Sequence, residues 1–339
     1  KKISLNIQEK CLVIVQSTLP PGTTENKILP LIKKIFIKRK LNCKNILLSY
    51  SFERVTPGKN YIDSIKNSYR VFSGINKSSE ELTKRFLSNI INTKKYPLSK
   101  LQNTTEAETC KIIENSYRAI NIAFINEWRQ FSDRLNLDLN SIIKAIKLRK
   151  THNNIMSSGL GVGGYCLTKD PLFGTASSLQ VFKKKFDFPF SNQAVEINNM
   201  MPYQIMKNIN NLFGNKLRKK KVIIFGVSYK ENVGDTRFSP SAAVFDFFKE
   251  KKCNIDIYDP LAKFWQERKI QSLEKVLMKS YDVVVFAVKH SVFLSTKLNL
   301  KKNAIVLDLN NVLTKSQVNK VNKRTKNCFL LGKKNNLKI

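Results

Sequence analysis

KKVIIFGVSYKENVGDTRFSPSAAVFDFFKEKKCNIDIYDP, residues 220–260, contains a strand, a turn, a helix and a second strand. The apolar, β-branched run at each end is typical of a strand buried in a parallel sheet. Ser239 and Pro240 suit the N-cap and first position of a helix over 241–251. Similar runs follow in YDVVVFAV, NAIVLDL and CFLLG, so five strands with helices between most of them predict an open α/β sheet.

An earlier part of the chain shows the same alternation. The runs at 12–15, 45–53 and 69–75 are strand candidates, and helices are predicted over 25–40 and 79–91. Strands that alternate with helices predict a doubly wound sheet.

The middle of the chain is predicted to be mainly helical. From Thr105 to about Leu135, apolar side chains recur at helical spacing without Gly or Pro, which predicts one long helix. Further helices are expected over 139–149 and 192–213, around a glycine-rich segment at 159–164. The expected domains are residues 1–104, 105–215 and 216–339.

Composition limits the classes of function. The 339 residues carry a formal charge of +35, with a pI near 10.0. The basic residues are scattered, with short runs at 183–185, 218–221 and 333–334 that lack interleaved aromatics. We interpret them as chain-wide lysine usage and predict no nucleic-acid partner. No apolar run is long enough for a membrane span and no signal peptide is recognisable, so a cytoplasmic protein is expected.

Metal and disulfide chemistry are not expected. The six cysteines show no CxxC spacing, which argues against a disulfide framework or a structural zinc site. With only His152 and His290, a His-rich metal site or a Ser-His-Asp triad is hard to assemble.

Gly159, Gly161 and Gly164 match the G-x-G-x-x-G pattern of dinucleotide-binding turns. That pattern works when a strand feeds it and a helix starts from it, and neither is predicted here. We interpret the match as fortuitous. The glycines would instead let backbone and substrate approach Cys166 closely.

Two clusters around this segment could carry chemistry. Lys169 and Asp170 follow Cys166, and a nearby cation and carboxylate would suit a reactive thiol, although an inert buried cysteine is the commoner case. On the long helix, Glu108, Lys111 and Asn115 share one face, which is either a solvated surface or part of a site.

The turn after the strand ending at Phe225 is a candidate anion site. Lys230 and Arg237 lie between that strand and the helix over 241–251, whose N-terminus would favour negative charge. Because the turn holds a single glycine directly after the strand, Gly226, a looser nucleotide site is favoured over an NAD pyrophosphate site. A purely structural loop is the alternative.

Taken together, five segments resemble the UDP-glucose/GDP-mannose dehydrogenase family, enzymes that oxidise the C6 alcohol of a nucleotide sugar to a carboxylate. The segments are STLPPGTT (17–24), ERVTPG (53–58), AETCKIIENSYRAINIAFINE (107–127), GVGGYCLTKDP (161–171) and GVSYKENVGDTRFSP (226–240). The resemblance implies an α/β fold with a remnant of an N-terminal Rossmann domain for NAD, a long central helix within a helical middle domain, and a C-terminal Rossmann-like parallel sheet for the UDP-sugar.

The resemblance also implies the chemistry. Cys166 matches the nucleophile that forms a thiohemiacetal and then a thioester. Lys111 and Asn115 match residues that bind substrate and stabilise the oxyanion, and Asp170 with Thr18 matches the pair that activates water.

Further contacts are implied by the same resemblance. Glu53 matches a carboxylate that assists thioester hydrolysis, and Thr18, Glu53 and Lys169 are expected near NAD. Gly163, Lys230 and Arg237 are expected to contact the UDP-sugar. Two NAD are consumed per turnover, and a homodimer or higher assembly through the long helix is expected.

Two departures from the family pattern affect these expectations. The family's first strand, its GxGxxG turn and its ribose-binding acid are not found before residue 12, and the first residue is Lys1. We therefore expect a partial chain that does not turn over NAD by itself. Where the family often has Asp-x-Arg-Asn, this chain has Asp308, Leu309, Asn310 and Asn311, which puts a substrate contact in doubt.

Three functions from different classes are compatible with the sequence. The leading one is a UDP-sugar 6-dehydrogenase, with SFERVTPGKNYIDSIKN (51–67) favouring a UDP-N-acetylhexosamine. A catalytically incompetent remnant that binds UDP-sugar or an intact subunit is the alternative. A basic nucleic-acid binder is the third, and it predicts salt-sensitive binding to any duplex.

Overall fold

The structure is a computed structural model that describes residues 1–58, 60–295 and 300–335. The chain forms two compact units. The first comprises Lys1–Tyr117 and Lys169–Asn192, and the second comprises Arg118–Thr168 and Gln193–Ile339. We call them the N-terminal unit and the C-terminal unit.

The N-terminal unit is built on a four-stranded sheet in the order β1-β2-β3-β4. Its strands are β1 (Leu12–Val15), β2 (Leu47–Tyr50), β3 (Val71–Gly74) and β4 (Ser99–Lys100). The first three lie within the predicted runs. β1 pairs with β2 in parallel, as does β3 with β4, but β2 and β3 are antiparallel. A parallel neighbour needs a crossover connection, and the described residues between β2 and β3 form only the short helix α3 (Tyr61–Lys66).

Helices cover this sheet with small apolar faces. They are α1 (Lys2–Asn6), α2 (Leu29–Lys38), α4 (Lys77–Ser88) and α7 (Phe173–Gln180). A π-helical turn at Thr24–Ile28 precedes α2, so the helix predicted over 25–40 has two parts. Ile32 and Phe36 of α2 pack on Ile46 and Leu48, which anchors the helix on β2.

The C-terminal unit contains the second predicted sheet, with five parallel strands in the order β11-β10-β9-β5-β6. They are β5 (Lys221–Phe225), β6 (Asn254–Tyr258), β9 (Tyr281–Phe286), β10 (Leu300–Asp308) and β11 (Cys328–Leu330), and a small antiparallel ribbon is formed by β7 (Phe264–Trp265) and β8 (Arg268–Lys269). All five predicted strands are confirmed. β5 and β9 are almost entirely buried, as their unbroken apolar runs predict.

The remaining helices belong to the central and C-terminal parts of the chain. They are α5 (Thr104–Arg134), α6 (Leu139–Lys147), α8 (Pro189–Phe213), α9 (Ser241–Glu250), α10 (Leu273–Met278) and α11 (Lys315–Arg324). The predicted long helix is confirmed as α5. In the C-terminal unit, Ala119 and Ala123 of α5 pack against Ala194 of α8, and such small side chains allow close helix packing. Within the described ranges, no helix is both long and apolar enough to cross a membrane.

Candidate functional site

The glycine-rich segment at 159–164 is packed against protein. Among the described residues, no strand leads into it and no helix starts directly from it. A Cβ atom on Gly163 would lie 2.6 Å from the Phe238 carbonyl oxygen, and one on Gly164 would lie 2.8 Å from the Tyr229 ring. The glycines thus admit protein atoms where a dinucleotide turn would admit a pyrophosphate. The strand and the helix that a dinucleotide-binding turn needs are thus missing from the described residues around this segment, as predicted.

Cys166 follows this segment and is exposed. Two residues earlier, Gly164 has a φ of +78° and donates its amide to the Arg237 carbonyl oxygen at 3.0 Å. The Thr168 hydroxyl donates to the Gly164 carbonyl oxygen at 2.9 Å. An accessible thiol therefore stands beside a restrained backbone, as positioned covalent chemistry requires.

Arg237 lies in the loop between β5 and α9, residues 226–240, which we call the 226–240 loop. Its guanidinium pairs with Asp235, with 2.6 Å between Nη2 and Oδ2. This hydrogen bonding lowers the pKa of Asp235 below its usual range. Arg237 also lies 5.2 Å from the ring centre of Tyr165, the neighbour of Cys166. Because its side chain is 63% exposed, water weakens the pair and an anionic ligand can compete for Arg237.

The other predicted cation of this loop, Lys230, is exposed. The loop itself is held by Asp259, whose side chain is fully buried at the end of β6. One carboxylate oxygen accepts from the amides of Val227 and Ser228 at 2.8 and 3.0 Å and from the Ser228 hydroxyl at 2.6 Å, and the other accepts from the amides of Leu261 and Ala262. Burial alone would raise the pKa of Asp259, but hydrogen bonds from His290, Ser228 and backbone amides lower it. The amides after β5, which would bind a pyrophosphate in a dinucleotide fold, are therefore used internally.

Ser228, His290 and Asp259 meet without forming a catalytic triad. The His290 Nε2 atom lies 3.0 Å from the Ser228 hydroxyl and 3.2 Å from the Asp259 carboxylate. The Nδ1 atom accepts from the Asn232 amide at 3.0 Å, so the ring proton is assigned to Nε2. A triad would place the serine and the carboxylate on different ring nitrogens. The cluster stabilises the loop.

The start of α9 differs from the prediction. The helix begins at Ser241 with Pro240 as N-cap, so the predicted N-cap, Ser239, lies one residue outside. The Ser239 hydroxyl donates to the Ser228 carbonyl oxygen at 3.2 Å, and Ser239 and Pro240 accept from the first amides of α9. These local acceptors already satisfy the amides on which the predicted anion site partly depended. Its described cations are Arg237 and Lys230.

In the N-terminal unit, Asn115 and Asp170 are brought together from 55 residues apart. The Asn115 amide nitrogen donates to the Asp170 carboxylate at 2.8 Å, and both side chains are buried. Lys169 donates to the other carboxylate oxygen at 2.6 Å and lies over the Phe173 ring at 4.7 Å. Asp170 is thus an oriented, charge-paired carboxylate.

Lys111 lies one turn before Asn115 on α5. Its Nζ atom donates to the backbone carbonyl of Glu53 at 3.1 Å and lies 5.2 Å from the Phe52 ring centre. The Glu53 carboxylate accepts from the Val55 amide. Glu53 follows β2, and Lys111 fixes the backbone of that segment.

Glu108, the third residue of the same α5 face, closes the turn after β1. Its carboxylate accepts from the Gly22 amide at 2.6 Å, the Thr24 amide at 2.9 Å and the Thr24 hydroxyl at 2.6 Å. Burial raises the pKa of Glu108, and these hydrogen bonds oppose the rise. Glu108, Lys111 and Asn115 are 0 to 9% exposed, so the interpretation of this helix face as a solvated surface is wrong.

Two of the residues expected near NAD lie at one edge of the N-terminal sheet. Thr18 follows β1 and Glu53 follows β2, so both lie past the carboxyl ends of two paired parallel strands, where α/β sheets bind ligands. The amides of Gly22 and Thr24, however, are taken by Glu108. The described turn after β1 thus does not offer these amides to a pyrophosphate.

Asn310, which stands where an arginine was expected, lies beside the glycine-rich segment 159–164 that leads to Cys166. A Cβ atom on Gly159 would lie 2.7 Å from its side-chain oxygen, and its side-chain nitrogen donates to the Ala287 carbonyl at 3.2 Å. Asn310 thus packs at the start of the segment that ends at Cys166. In the described ranges, no group of three or more His, Cys, Asp or Glu side chains could hold a metal ion.

Comparison with known proteins identifies the family. Three domain models of the UDP-glucose/GDP-mannose dehydrogenase family match the chain. The NAD binding domain matches residues 1–91, the central domain matches 105–200 and the UDP binding domain matches 223–315. A UDP-N-acetyl-D-mannosamine dehydrogenase of Methanococcus vannielii is 34% identical over 323 residues, covering 91% of this chain and 68% of the relative. The chain belongs to the UDP-glucose/GDP-mannose dehydrogenase family. It spans about two thirds of the length of such curated relatives.

Other members of the UDP-glucose/GDP-mannose dehydrogenase family extend the likeness. A UDP-glucose 6-dehydrogenase of Rickettsia prowazekii is 25% identical, covering 94% of this chain and 74% of the relative. The solved structure of UDP-D-ManNAc dehydrogenase from Pyrococcus horikoshii superposes with a TM-score of 0.80 at 26% identity, covering 97% of this chain and 74% of that one. The Rossmann-like α/β fold with a long central helix is therefore that of nucleotide-sugar dehydrogenases.

Sequence reasoning assigned no role to three residues of the candidate site. Tyr229 packs on the cysteine segment, Asp235 pairs with Arg237, and Asp259 holds the loop. The spacing of Asp235 and Arg237 in DTR was a usable signal, because i and i+2 side chains can pair in a turn. The roles of Tyr229 and Asp259 depend on contacts distant in sequence, so no local signal was available.

Proposed function

We propose that the protein oxidises the C6 hydroxyl of a UDP-sugar to a carboxylate, with NAD as oxidant, for polysaccharide precursor synthesis. The observation that carries this proposal is an exposed Cys166 on a restrained segment that contacts the 226–240 loop, within a family of nucleotide-sugar dehydrogenases. The substrate is a UDP-N-acetylhexosamine. The names of the relatives from Methanococcus vannielii and Pyrococcus horikoshii support that choice.

In the proposed reaction, Cys166 attacks the C6 aldehyde and forms a thiohemiacetal, which is then oxidised to a thioester. Lys111 and Asn115 donate to the oxyanion, since fixed donors at a developing negative charge are usually the largest catalytic contribution. The buried positions of both side chains support this role, because water does not screen them there.

Asp170 and Thr18 position the water that hydrolyses the thioester, with Glu53 assisting. The hydrogen bonds from Asn115 and Lys169 fix the Asp170 side chain, which suits a group that orients water. Thr18, Glu53 and Lys169 would hold NAD, which would supply the oxidant for the two hydride transfers.

Each part of the chain has a proposed task. Residues 1–104 bind NAD. Residues 105–215 hold the sugar, which Gly163 lines, and provide the dimer contact. Residues 216–339 bind the uridine nucleotide through Lys230 and Arg237. The exposed guanidinium of Arg237, weakly held by Asp235, supports its recruitment by a diphosphate.

Replacement of Arg237 by alanine is expected to weaken UDP binding by about tenfold to a hundredfold, the effect of losing a charge-assisted hydrogen bond. Isothermal titration calorimetry at moderate salt measures it on the 339-residue chain. Arg218→Ala removes the same exposed side chain from the opposite edge of the sheet, and Lys334→Ala removes another exposed cation. Equal UDP affinities of the wild type and the three variants would mean that UDP binds through the general positive charge of +35. That result would contradict a specific site at Arg237.

An exposed apolar stripe on α5 supports the proposed homodimer. Phe124, Trp128 and Phe131 are each about half exposed and pack edge to face, with ring centres 6.5 and 5.7 Å apart. Contiguous exposed aromatics of this kind mark protein interfaces.

Trp128→Glu is therefore expected to convert a dimer into a monomer, because a charge in an apolar interface cannot be solvated. Light scattering with size-exclusion chromatography at micromolar protein measures the mass. Leu148→Glu, at an 85% exposed apolar position outside the stripe, is the matched control and should leave the mass unchanged. A monomeric wild type, or a dimeric Trp128→Glu, contradicts an α5 interface.

A UDP-sugar-binding protein without turnover is the second candidate. It is favoured by one observation: Glu108 and Asp259 occupy the amides of the turns after β1 and β5. NADH formation with a UDP-N-acetylhexosamine, measured on the chain joined to any segment encoded before Lys1, separates the candidates, because the 339-residue chain by itself is not expected to turn over NAD. Turnover supports the dehydrogenase, and UDP binding without turnover supports the binding protein.

A further inference from the structure

We propose that Tyr229 is a positioning residue that makes the reactivity of Cys166 depend on nucleotide bound at the 226–240 loop. This inference rests on the proposed function, in which Cys166 is the nucleophile and that loop binds UDP. It adds a coupling between the two.

The contact that carries the coupling is the packing of Tyr229 on the two glycines before Cys166. A Cβ atom on Gly164 would lie 2.8 to 3.0 Å from three Tyr229 ring atoms, and one on Gly163 would lie 2.8 Å from the Tyr229 Cβ atom. Side chains other than glycine would not fit against this ring. The position of the ring therefore limits the positions open to the backbone that leads to Cys166.

Tyr229 is itself fixed at both ends of the 226–240 loop. Its amide donates to the Asp235 carbonyl oxygen at 2.9 Å. The preceding residue, Ser228, is held by Asp259 through its amide and hydroxyl and by Ser239 through its carbonyl. A displacement of the loop by a ligand thus moves the ring as part of one hydrogen-bonded body.

Arg237 is the residue of this hydrogen-bonded loop that a bound diphosphate would contact. Its carbonyl oxygen accepts from the Gly164 amide, and its guanidinium lies over the Tyr165 ring while pairing with Asp235. A diphosphate that draws Arg237 away from Asp235 alters the surroundings of Gly164 and Tyr165 together. A nucleotide that carries no sugar would therefore still change the environment of the Cys166 thiol.

The charges around Tyr229 are consistent with this role. Burial raises its pKa, as do the negative charges of Asp235 and the Cys166 thiolate, whereas Arg237 and Arg118 lower it. The phenol therefore stays neutral near pH 7, and its ring packs without carrying a charge into the segment.

The test measures the rate at which limiting iodoacetamide alkylates Cys166 in the 339-residue chain, by mass spectrometry, with and without saturating UDP. UDP is expected to change this rate about fivefold or more, the lower end of coupling between two sites. Cys11, exposed in the other unit, is the internal reference and should be unaffected. Calorimetry measures UDP affinity in the same samples.

The variants separate positioning from folding. Tyr229→Phe keeps the ring and should keep the response to UDP, whereas Tyr229→Ala should lose the response at a UDP concentration that calorimetry shows to saturate the variant. Tyr229→Leu is the substitute if the alanine variant does not fold. Tyr203→Ala, at an exposed tyrosine of α8, is the matched control and should respond as wild type does.

Two outcomes overturn the coupling: UDP that binds to wild type without changing the Cys166 rate, and a Tyr229→Ala variant that responds like wild type. A failure of the proposed function gives a different result. In that case calorimetry detects no UDP binding to wild type, and the coupling falls with the nucleotide site.

Discussion

Replacing Asp259 by alanine is expected to lower the free energy of unfolding of the C-terminal unit by about 3 to 5 kcal/mol, as for removal of one partner from a buried charged network. The carboxylate accepts from the amides of Val227, Ser228, Leu261 and Ala262, and the substitution leaves these donors without their acceptor. Urea unfolding followed by tryptophan fluorescence measures the loss, because Trp265 is buried in the same unit.

The same carboxylate gives the stability a defined dependence on pH. Its pKa in the folded protein is lowered, so it lies below the value of about 3.9 expected for an unfolded chain. The contribution of Asp259 is therefore complete above the unfolded pKa and is lost as pH falls through the folded one. Stability of the wild type should decline as pH falls below about 4, and Asp259→Asn should lack this part of the decline.

Asp246 provides the matched control for this prediction. It is an exposed aspartate of α9 in the same unit, so Asp246→Ala should change stability by no more than about 0.5 kcal/mol. Equal stabilities of Asp259→Ala and Asp246→Ala would show that the buried network contributes nothing.

Alkylation by limiting iodoacetamide at pH 7 is expected to label Cys166 first and to exceed labelling of Cys328 by more than about a thousandfold. Burial raises the pKa of Cys328 to about 12, so only about one molecule in 100,000 carries its thiolate at pH 7. An exposed thiol of ordinary pKa is about 3% thiolate at that pH. Burial also raises the pKa values of Cys110 and Cys253.

Cys11 is the informative competitor, because it is exposed like Cys166. If Cys166 is a nucleophile, it should react several times faster than Cys11 in the folded protein, and Cys166→Ser should remove the fastest label. The two thiols should react alike in urea. Faster labelling of Cys11 or Cys43 in the folded chain would contradict the assignment.

Periodicity alone predicted most secondary structure. The apolar runs that became β5 and β9 are nearly unbroken and β-branched, a pattern typical of buried parallel strands. The spacing of apolar residues predicted α5 within one residue at each end. Such patterns depend on the residues of one element, so they can be recognised without knowledge of the fold.

Element ends and strand directions were harder to predict. Pro240, not Ser239, is the N-cap of α9, and the Ser239 hydroxyl also bonds to the Ser228 carbonyl eleven residues away. The direction of β3 relative to β2 is set by the path of the intervening chain, which has no periodic signal. Local preference cannot decide such cases, since a tertiary hydrogen bond competes with it at similar energy.

The sequence by itself determined the fold class and, through the resemblance, the candidate residues. Tertiary structure decided which polar groups meet: Asn115 with Asp170, Glu108 with Gly22, and Tyr229 with Gly164. These partners lie 55 to 86 residues apart, and their pairing depends on how separate elements pack. Buried polar groups must find partners, so each pairing is specific once the elements are assembled, but no feature of the isolated chain names the partner in advance.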